Sequence, residues 1–276
     1  MFATYLDRWR LDPDGEPITT TTSRLLPVRR DGVPAMLKVA TEPEERRGAD
    51  TMTWWDGDGA AHVLAHEGDA LLMERAEGST SLEKMARTDR DDEATCIMCQ
   101  VAARLHAPRM RPLPSSLVPL PEWFTALEPG AERHGGILER AAATARHLLA
   151  APRDIVVLHG DIHHGNILDF GPQGWLAIDP KGLLDERTFD FVNILRNPDG
   201  QVALAPGRFS RQVTVVADAA GLDRTRLLQW TLAFTGLSAA WILDDGDQPD
   251  LDLAVAELAA AELSRIEHQR ITGRTG

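Results

Sequence analysis

Three side chains are spaced as phosphoryl transfer requires: Asp161, Asn166 five residues later, and Asp179 thirteen residues beyond that. Transfer from a magnesium nucleotide needs a carboxylate to orient the attacking hydroxyl and accept its proton, and hard oxygen donors for Mg²⁺. Asp161 suits the first task; Asn166 and Asp179 suit the second, provided something folds them together. The flanking sequence does this. Ile155 to Leu158 is an apolar run that reads as a buried strand. His159 to Asn166 is a polar loop with glycines at 160 and 165. Ile167–Phe170 and Trp175–Ile178 read as short strands joined by the turn Gly171-Pro172-Gln173-Gly174. A tight hairpin would bring its two ends, Asn166 and Asp179, side by side. His163 and His164 suggest metal ligation less well, since adjacent side chains point apart.

The loop His159-Gly160-Asp161 through Asn166 fits the spacing H-x-D-x-x-x-x-N of kinase catalytic loops. It resembles the aminoglycoside phosphotransferases, whose loop reads HGD-x-x-x-x-N and whose metal aspartate follows isoleucine. LHGDIHHGNIL, GWLAIDPKGLL and GLSAAW are most similar to the streptomycin 6-phosphotransferase branch, the aminoglycoside/hydroxyurea resistance kinases. The likeness covers most of the chain; it is strongest over residues 155–200 and weak before residue 35. It implies an α+β, bilobal, protein-kinase-like fold. An antiparallel five-stranded N-lobe with one main helix (residues 1–76) would bind nucleotide. A mainly helical C-lobe (77–276) would carry the catalytic loop and the acceptor site. The implied reaction is ATP- and Mg²⁺-dependent O-phosphorylation of an aminoglycoside, most like streptomycin at position 6. A kinase for a metabolic alcohol or sugar amine, and a silent nucleotide-binding protein, are the alternatives. The intact set Lys38, Asp161, Asn166 and Asp179 speaks against the last.

Lys38 is one of only three lysines, with Lys84 and Lys181, and lies in the apolar run Met36-Leu37-Lys38-Val39. A largely buried lysine needs a partner. In kinases it bridges the nucleotide phosphates and is held by a helix glutamate. The helix reads as Thr41–Trp55, interrupted at Gly48, and its spacing favours Glu45 over Glu44 as the partner. Before it, Ile18–Thr22, Arg24–Val28 and Ala35–Ala40 read as strands. The first turn holds Thr21, Thr22 and Ser23 where kinases use glycines. These are candidates for phosphate contact, or simply β-branched strand residues. Strands near His62–Leu64 and Ala70–Glu74 follow. By resemblance the second ends in the hinge, with Met73 lining the adenine pocket, a Glu74 carbonyl and an Ala76 amide pairing with the base.

Resemblance also gives Asp190 the task of anchoring the catalytic loop, with His159 in structural support. Only Pro180 to Leu184 separates Asp179 from the next apolar pattern, which leaves little room for a peptide platform and favours a small-molecule acceptor. Lys181 is open to two readings: contact with the transferred phosphate or pairing with Asp185. Asp185, Glu186 and Trp241 are candidates for the rim of a cationic-ligand site, with the acidic loop of Asp244, Asp245, Asp247, Asp250 and Asp252; a solvated loop is the plainer reading.

The formal charge of −13 over 276 residues argues against a nucleic-acid partner and suits a cationic alcohol, although an acidic surface also serves solubility. Cys96 and Cys99 fall in a helical pattern and read as core in a reducing cytoplasm. Residues 1–20 carry early charges and no leader-like apolar run. Thr231–Leu243 is too short to span a bilayer, so no membrane is expected. A monomer or weak dimer is expected.

Overall fold

The computed structural model describes residues 1–272. Helix α1 (Ala3–Trp9) leads into strands β1 (Leu11–Pro13), β2 (Ile18–Thr19), β3 (Ser23–Arg30) and β4 (Val33–Ala40). Helix α2 (Pro43–Trp55), β5 (Val63–Glu67) and β6 (Ala70–Glu74) complete the first unit. Its antiparallel sheet runs β1-β3-β4-β6-β5, with β2 sharing the outer edge of β3 with β1. The sheet therefore has six strands rather than five. The unforeseen one, β1, has only three residues, ends in proline and is specified by its partners Arg30, Arg29 and Val28.

Alternation along β4 and β6 sorts side chains between two faces. Ala35, Leu37, Val39, Ala70 and Leu72 pack outward with Leu26 and Val28 beneath Phe2, Tyr5, Leu6 and Trp9. Lys38 and Leu71, paired across the strands, occupy the other face, as do Met36 and Met73. The period of two thus turns Lys38 toward α2 and the second unit. Helix α2 is continuous: Gly48 does not break it.

The second unit is mainly helical. Helices α3 (Leu82–Ala86) and α4 (Asp91–Leu105) precede a proline-rich loop, strand β7 (Val118–Pro119), and helices α5 (Leu120–Trp123), α6 (Leu127–His134) and α7 (Ile137–Leu149). Strands β8 (Ile155–Leu158), β9 (Ile167–Asp169), β10 (Trp175–Ala177) and β11 (Leu183–Glu186) carry the loop and hairpin. Helices α8 (Val192–Arg196), α9 (Gly200–Ala203), α10 (Arg208–Ala220), α11 (Arg224–Asp244) and α12 (Asp250–Thr272) follow. The core is centred on α11, where Phe189, Trp230 and Phe234 pack edge to face. No described helix is long and apolar enough to cross a membrane. Cys99 is buried in α4, and burial pushes its thiol up to about 12. Both cysteines are free.

The hairpin is tied to the first unit by backbone. Ala61 N donates to Ala177 O and Ala177 N to Gly59 O, each at 2.9 Å. The segment after β6 is pinned to the hairpin too, with Gly78 N donating to Asp169 O at 2.9 Å.

Candidate active site

The catalytic-type loop leaves β8 at Leu158 and is held from below by one carboxylate. Asp190 accepts from Gly160 N at 2.6 Å and from His159 N at 2.9 Å; His106 Nε2 lies 2.7 Å away. Gly160 takes φ 81° at this turn, and a Cβ there would meet Leu183 at 2.7 Å, so glycine is required twice over. His159 is wholly buried. Its Nδ1 accepts from Asp161 N at 3.2 Å, so Nε2 carries the hydrogen and donates to Ile178 O at 2.8 Å. Burial holds its pKa below the ordinary value, consistent with this neutral tautomer. The ring bolts the loop to the strand that leads into Asp179.

Asp161 accepts from Asn193 Nδ2 at 2.9 Å and from Asn166 Nδ2 at 3.3 Å; its carbonyl also accepts from Asn166 Nδ2 at 3.0 Å. With its nitrogen so engaged, Asn166 leaves its amide oxygen free to accept a hydrogen bond or to ligate a cation. The two neighbouring histidines separate as adjacent residues do. His163 Nε2 stands 3.8 Å from Asp161 Oδ2, at the cleft, whereas His164 is 2% exposed.

Lys38 forms ion pairs with both Glu45 and Asp179. Glu45 also accepts from Thr22 Oγ1. Glu44 turns to Lys181, Nζ to Oε1 3.1 Å, so the two glutamates hold different lysines. Lys181 pairs with Glu44, not with Asp185. Burial alone would raise the Asp179 carboxyl; the Lys38 ammonium, with Lys181 adding, outweighs it and holds Asp179 below the usual carboxylate range. Asp179 adopts φ 63°, a left-handed conformation that aspartate tolerates better than most residues. Met73 and Leu71 line the narrow cavity beside Lys38, Glu45 and Asp179. Gly48 explains its own place in the sequence: α2 passes so close to the loop after Asp179 that a Cβ would sit 2.3 Å from Pro180 O.

The threonine-rich turn caps this pair through Thr22, while Thr21 is exposed. Ser23 is 2% exposed, with its hydroxyl 2.9 Å from that of Thr20, which takes it out of reach of a phosphate. The Glu74 side chain accepts from His62 N at 2.8 Å, and Ala76 packs against the large core.

Two candidates for the acceptor rim are misplaced. Asp185 and Glu186 lie in β11, opposite Val156 and Ile155, and are 7% and 1% exposed. Glu186 is bound by Arg226, with Nε 2.9 Å from Oε1. Its partner is 40 residues away, so no local pattern revealed it. Trp241 does face an opening beside Asp161, about 300 Å³ in volume, shared with Trp123, Lys181, Asn193 and Arg196. Trp123 and Trp241 meet edge to face at 5.5 Å. Among the acidic-loop residues, Asp244 pairs with Arg133. Asp252 is buried under Arg196, whose Nη2 lies 3.3 Å from Oδ2. Asn193, Arg196 and Trp123 were missed. Asn193 had a signal, three residues after the loop anchor Asp190; the other two had none.

Comparison with known proteins adds to this geometry. Residues 8–246 match the family model described as aminoglycoside/hydroxyurea antibiotic resistance kinase. Over 263 residues the chain is 52% identical to a streptomycin 3''-kinase of Klebsiella pneumoniae, spanning 92% of this chain and 98% of that protein. It is 33% identical over 271 residues to a streptomycin 6-kinase of Streptomyces glaucescens, spanning 93% and 86%. Among solved structures, an aminoglycoside phosphotransferase from Streptomyces rimosus, in complex with ADP and streptomycin, matches with a TM-score of 0.59 at 18% identity. That match spans 86% of this chain and 99% of the other.

Proposed function

The chain belongs to the aminoglycoside/hydroxyurea antibiotic resistance kinases, and on that basis we propose that it transfers the γ-phosphoryl group of ATP to streptomycin, at the 3'' hydroxyl. The observation that carries the reaction class is the convergence of Lys38, Asp161, Asn166 and Asp179 through the loop–hairpin unit and one ion pair across the cleft. Relatives named for position 3'' and position 6 both match. The 52% identity to the former against 33% to the latter moves the proposed site from position 6, which the motifs alone suggested, to 3''.

In this reading residues 1–76 hold the nucleotide. Lys38, steadied by Glu45, leaves Asp179 for the nucleotide phosphates when they arrive, and Met73 lies under the base. Asn166 and Asp179 suit Mg²⁺: an amide oxygen and a carboxylate kept ionised are hard donors, and this ion binds through one or two carboxylates plus phosphates and water, without an all-protein cage. Mg²⁺ would neutralise charge on the transferred group. Asp161 takes the hydrogen bond, and then the proton, of the acceptor hydroxyl. Its orientation is fixed beforehand by Asn193 and Asn166, so positioning rather than covalent chemistry supplies the acceleration. Lys181 stands in the same opening and can meet the phosphoryl oxygens in transit. The Trp123–Trp241 wall offers aromatic faces to a cationic acceptor. The cleft's own cations, Lys181 and Arg196, are already matched by Glu44 and Asp252. The two free thiols suit the reducing cytoplasm, where we place the reaction.

The test is incubation with Mg-ATP and streptomycin, followed by phosphorus–proton correlation NMR of the product. Coupling of the new phosphorus to the 3'' proton is expected. Coupling at position 6 would overturn the regiochemistry, and absence of streptomycin-dependent ADP formation would overturn the substrate.

A further inference from the structure

A second cavity, of about 650 Å³, lies outside the cleft, between the segment around Arg87, the start of α4 and the start of α10. Its size falls among small-molecule sites. Its wall carries Arg87, Arg208 and Arg211 against a single carboxylate, Asp91, in a protein of formal charge −13. Arg208 is 4% exposed. Its Nε and Nη2 each lie 2.9 Å from Asp91, but its Nη1 is buried without a partner. Such a group is costly unless something answers it. Helix α10 begins at this wall: Gly207 at its N-cap has no capping side chain, and no acidic residue occupies the first turn. The positive end of this 13-residue helix thus adds to the field of the arginines, with Asp91 the one carboxylate of the wall packed against it. The additional carboxylates that Arg87 and Arg211 use, Asp199 and Asp92, stand outside the wall. Ala86, Val202, Ala205 and Pro206 provide an apolar side.

We propose that this cavity is a binding site for a small organic phosphate, separate from the nucleotide cleft. A tetrahedral dianion accepts from several directions at once, which suits arginine forks converging with a helix N-terminus. The apolar side and the volume leave room for the organic part. None of the residues assigned to phosphoryl transfer lines it, so the site stands whether or not streptomycin is the acceptor.

The experiment is calorimetric titration of the full chain with glucose 6-phosphate and, separately, inorganic phosphate. The cleft is filled beforehand with Mg²⁺ and a non-hydrolysable ATP analogue. Saturable binding of the sugar phosphate in the millimolar range or tighter is expected, with inorganic phosphate weaker. The double variant Arg87→Ala/Arg211→Ala should weaken binding by about tenfold or more while streptomycin phosphorylation is unchanged. Gln201→Glu, which adds a carboxylate to the wall and disturbs no ion pair, should weaken it too. Failure to saturate, wild-type affinity in both variants, or loss of binding when the analogue fills the cleft would each overturn the proposal. Inorganic phosphate binding as tightly as the ester would refute a site built for an organic phosphate.

Discussion

Replacing Gly48 by alanine sets two physical effects against each other. Gly48 sits in the interior of α2, where alanine is worth about 1 kcal/mol more helix stability. Against this, the new Cβ would lie 2.3 Å from the Pro180 carbonyl oxygen. The closest ordinary approach of such atoms is about 3.3 Å, so roughly 1 Å must be found. The obstacle is backbone and no rotamer relieves it. The adjoining residue is Asp179, which Lys38 and the Ile178–His159 bond hold in place. Displacement of about 1 Å at a reacting centre costs on the order of a hundredfold, or ~2.7 kcal/mol of barrier. We therefore expect Gly48→Ala to lower kcat about a hundredfold at saturating Mg-ATP and streptomycin, with a much smaller change in KM for the acceptor. Steady-state kinetics beside a thermal melt measure both effects. A variant that melts higher than wild type and keeps kcat within about threefold would show that helix propensity wins, and that α2 does not fix the position of Asp179.

Removing the carboxylate proposed to orient the hydroxyl, by Asp161→Ala, should cost at least about a hundredfold in turnover, ~2.7 kcal/mol, with the far-ultraviolet dichroism unchanged; near-normal rates would refute the assignment. Arg226→Met should cost about 3 kcal/mol in urea unfolding, because it strands the buried Glu186 carboxylate. Burial would raise Glu186, but the Arg226 hydrogen bonds hold its pKa below the ordinary 4.5, so the pair stabilises above that pH and the contribution is lost as pH falls through the folded value. The gap between wild type and Arg226→Met should accordingly close in acid, and a gap that persists there would contradict the explanation.

What the sequence disclosed follows from how local each constraint is. The loop and hairpin were legible because Asp161, Asn166 and Asp179 are joined by two short strands and one turn, whose register places Ala177 opposite Ile167. Lys38 and Glu45 were legible because one strand and one helix of known period separate them. Gly48 was visible but misread: a glycine within a helical pattern signals either a break or a close approach, and only Pro180, from another part of the chain, decides which. Asp185 and Glu186 looked like an acidic rim because their buried setting is made by Val156, Ile155 and Arg226, none of them nearby in sequence. The path of β7, α5 and α6 is set by prolines and by the parallel pairing of Val118 with Leu183, a partner far away in sequence that no local period announces. The acceptor opening was the least legible part. It is assembled from α5, α8 and α11, and no single stretch carries its pattern.

Arginine–carboxylate pairs tie distant elements of the second unit together, one of them in the wall of that opening. Arg226 joins α11 to Glu186 of β11, Arg208 joins α10 to Asp91 of α4, and Arg196 joins α8 to Asp252 of α12. Each links elements far apart in the chain. Such pairs roughly break even against apolar substitutes in stability, whereas losing one partner is expensive. Their effect is therefore directional: a leucine contact tolerates sliding by an ångström, while a guanidinium fork on a carboxylate does not. Arg196 illustrates the consequence. Its Nη1 meets both Asp252 and Ser238, and it stands in the wall with Asn193, which donates to Asp161. The frame that shapes the proposed acceptor pocket is thus continuous with the frame that orients Asp161, the proposed base, so changes in α12 that loosen Asp252 should reach the rate as well as the fit of the acceptor.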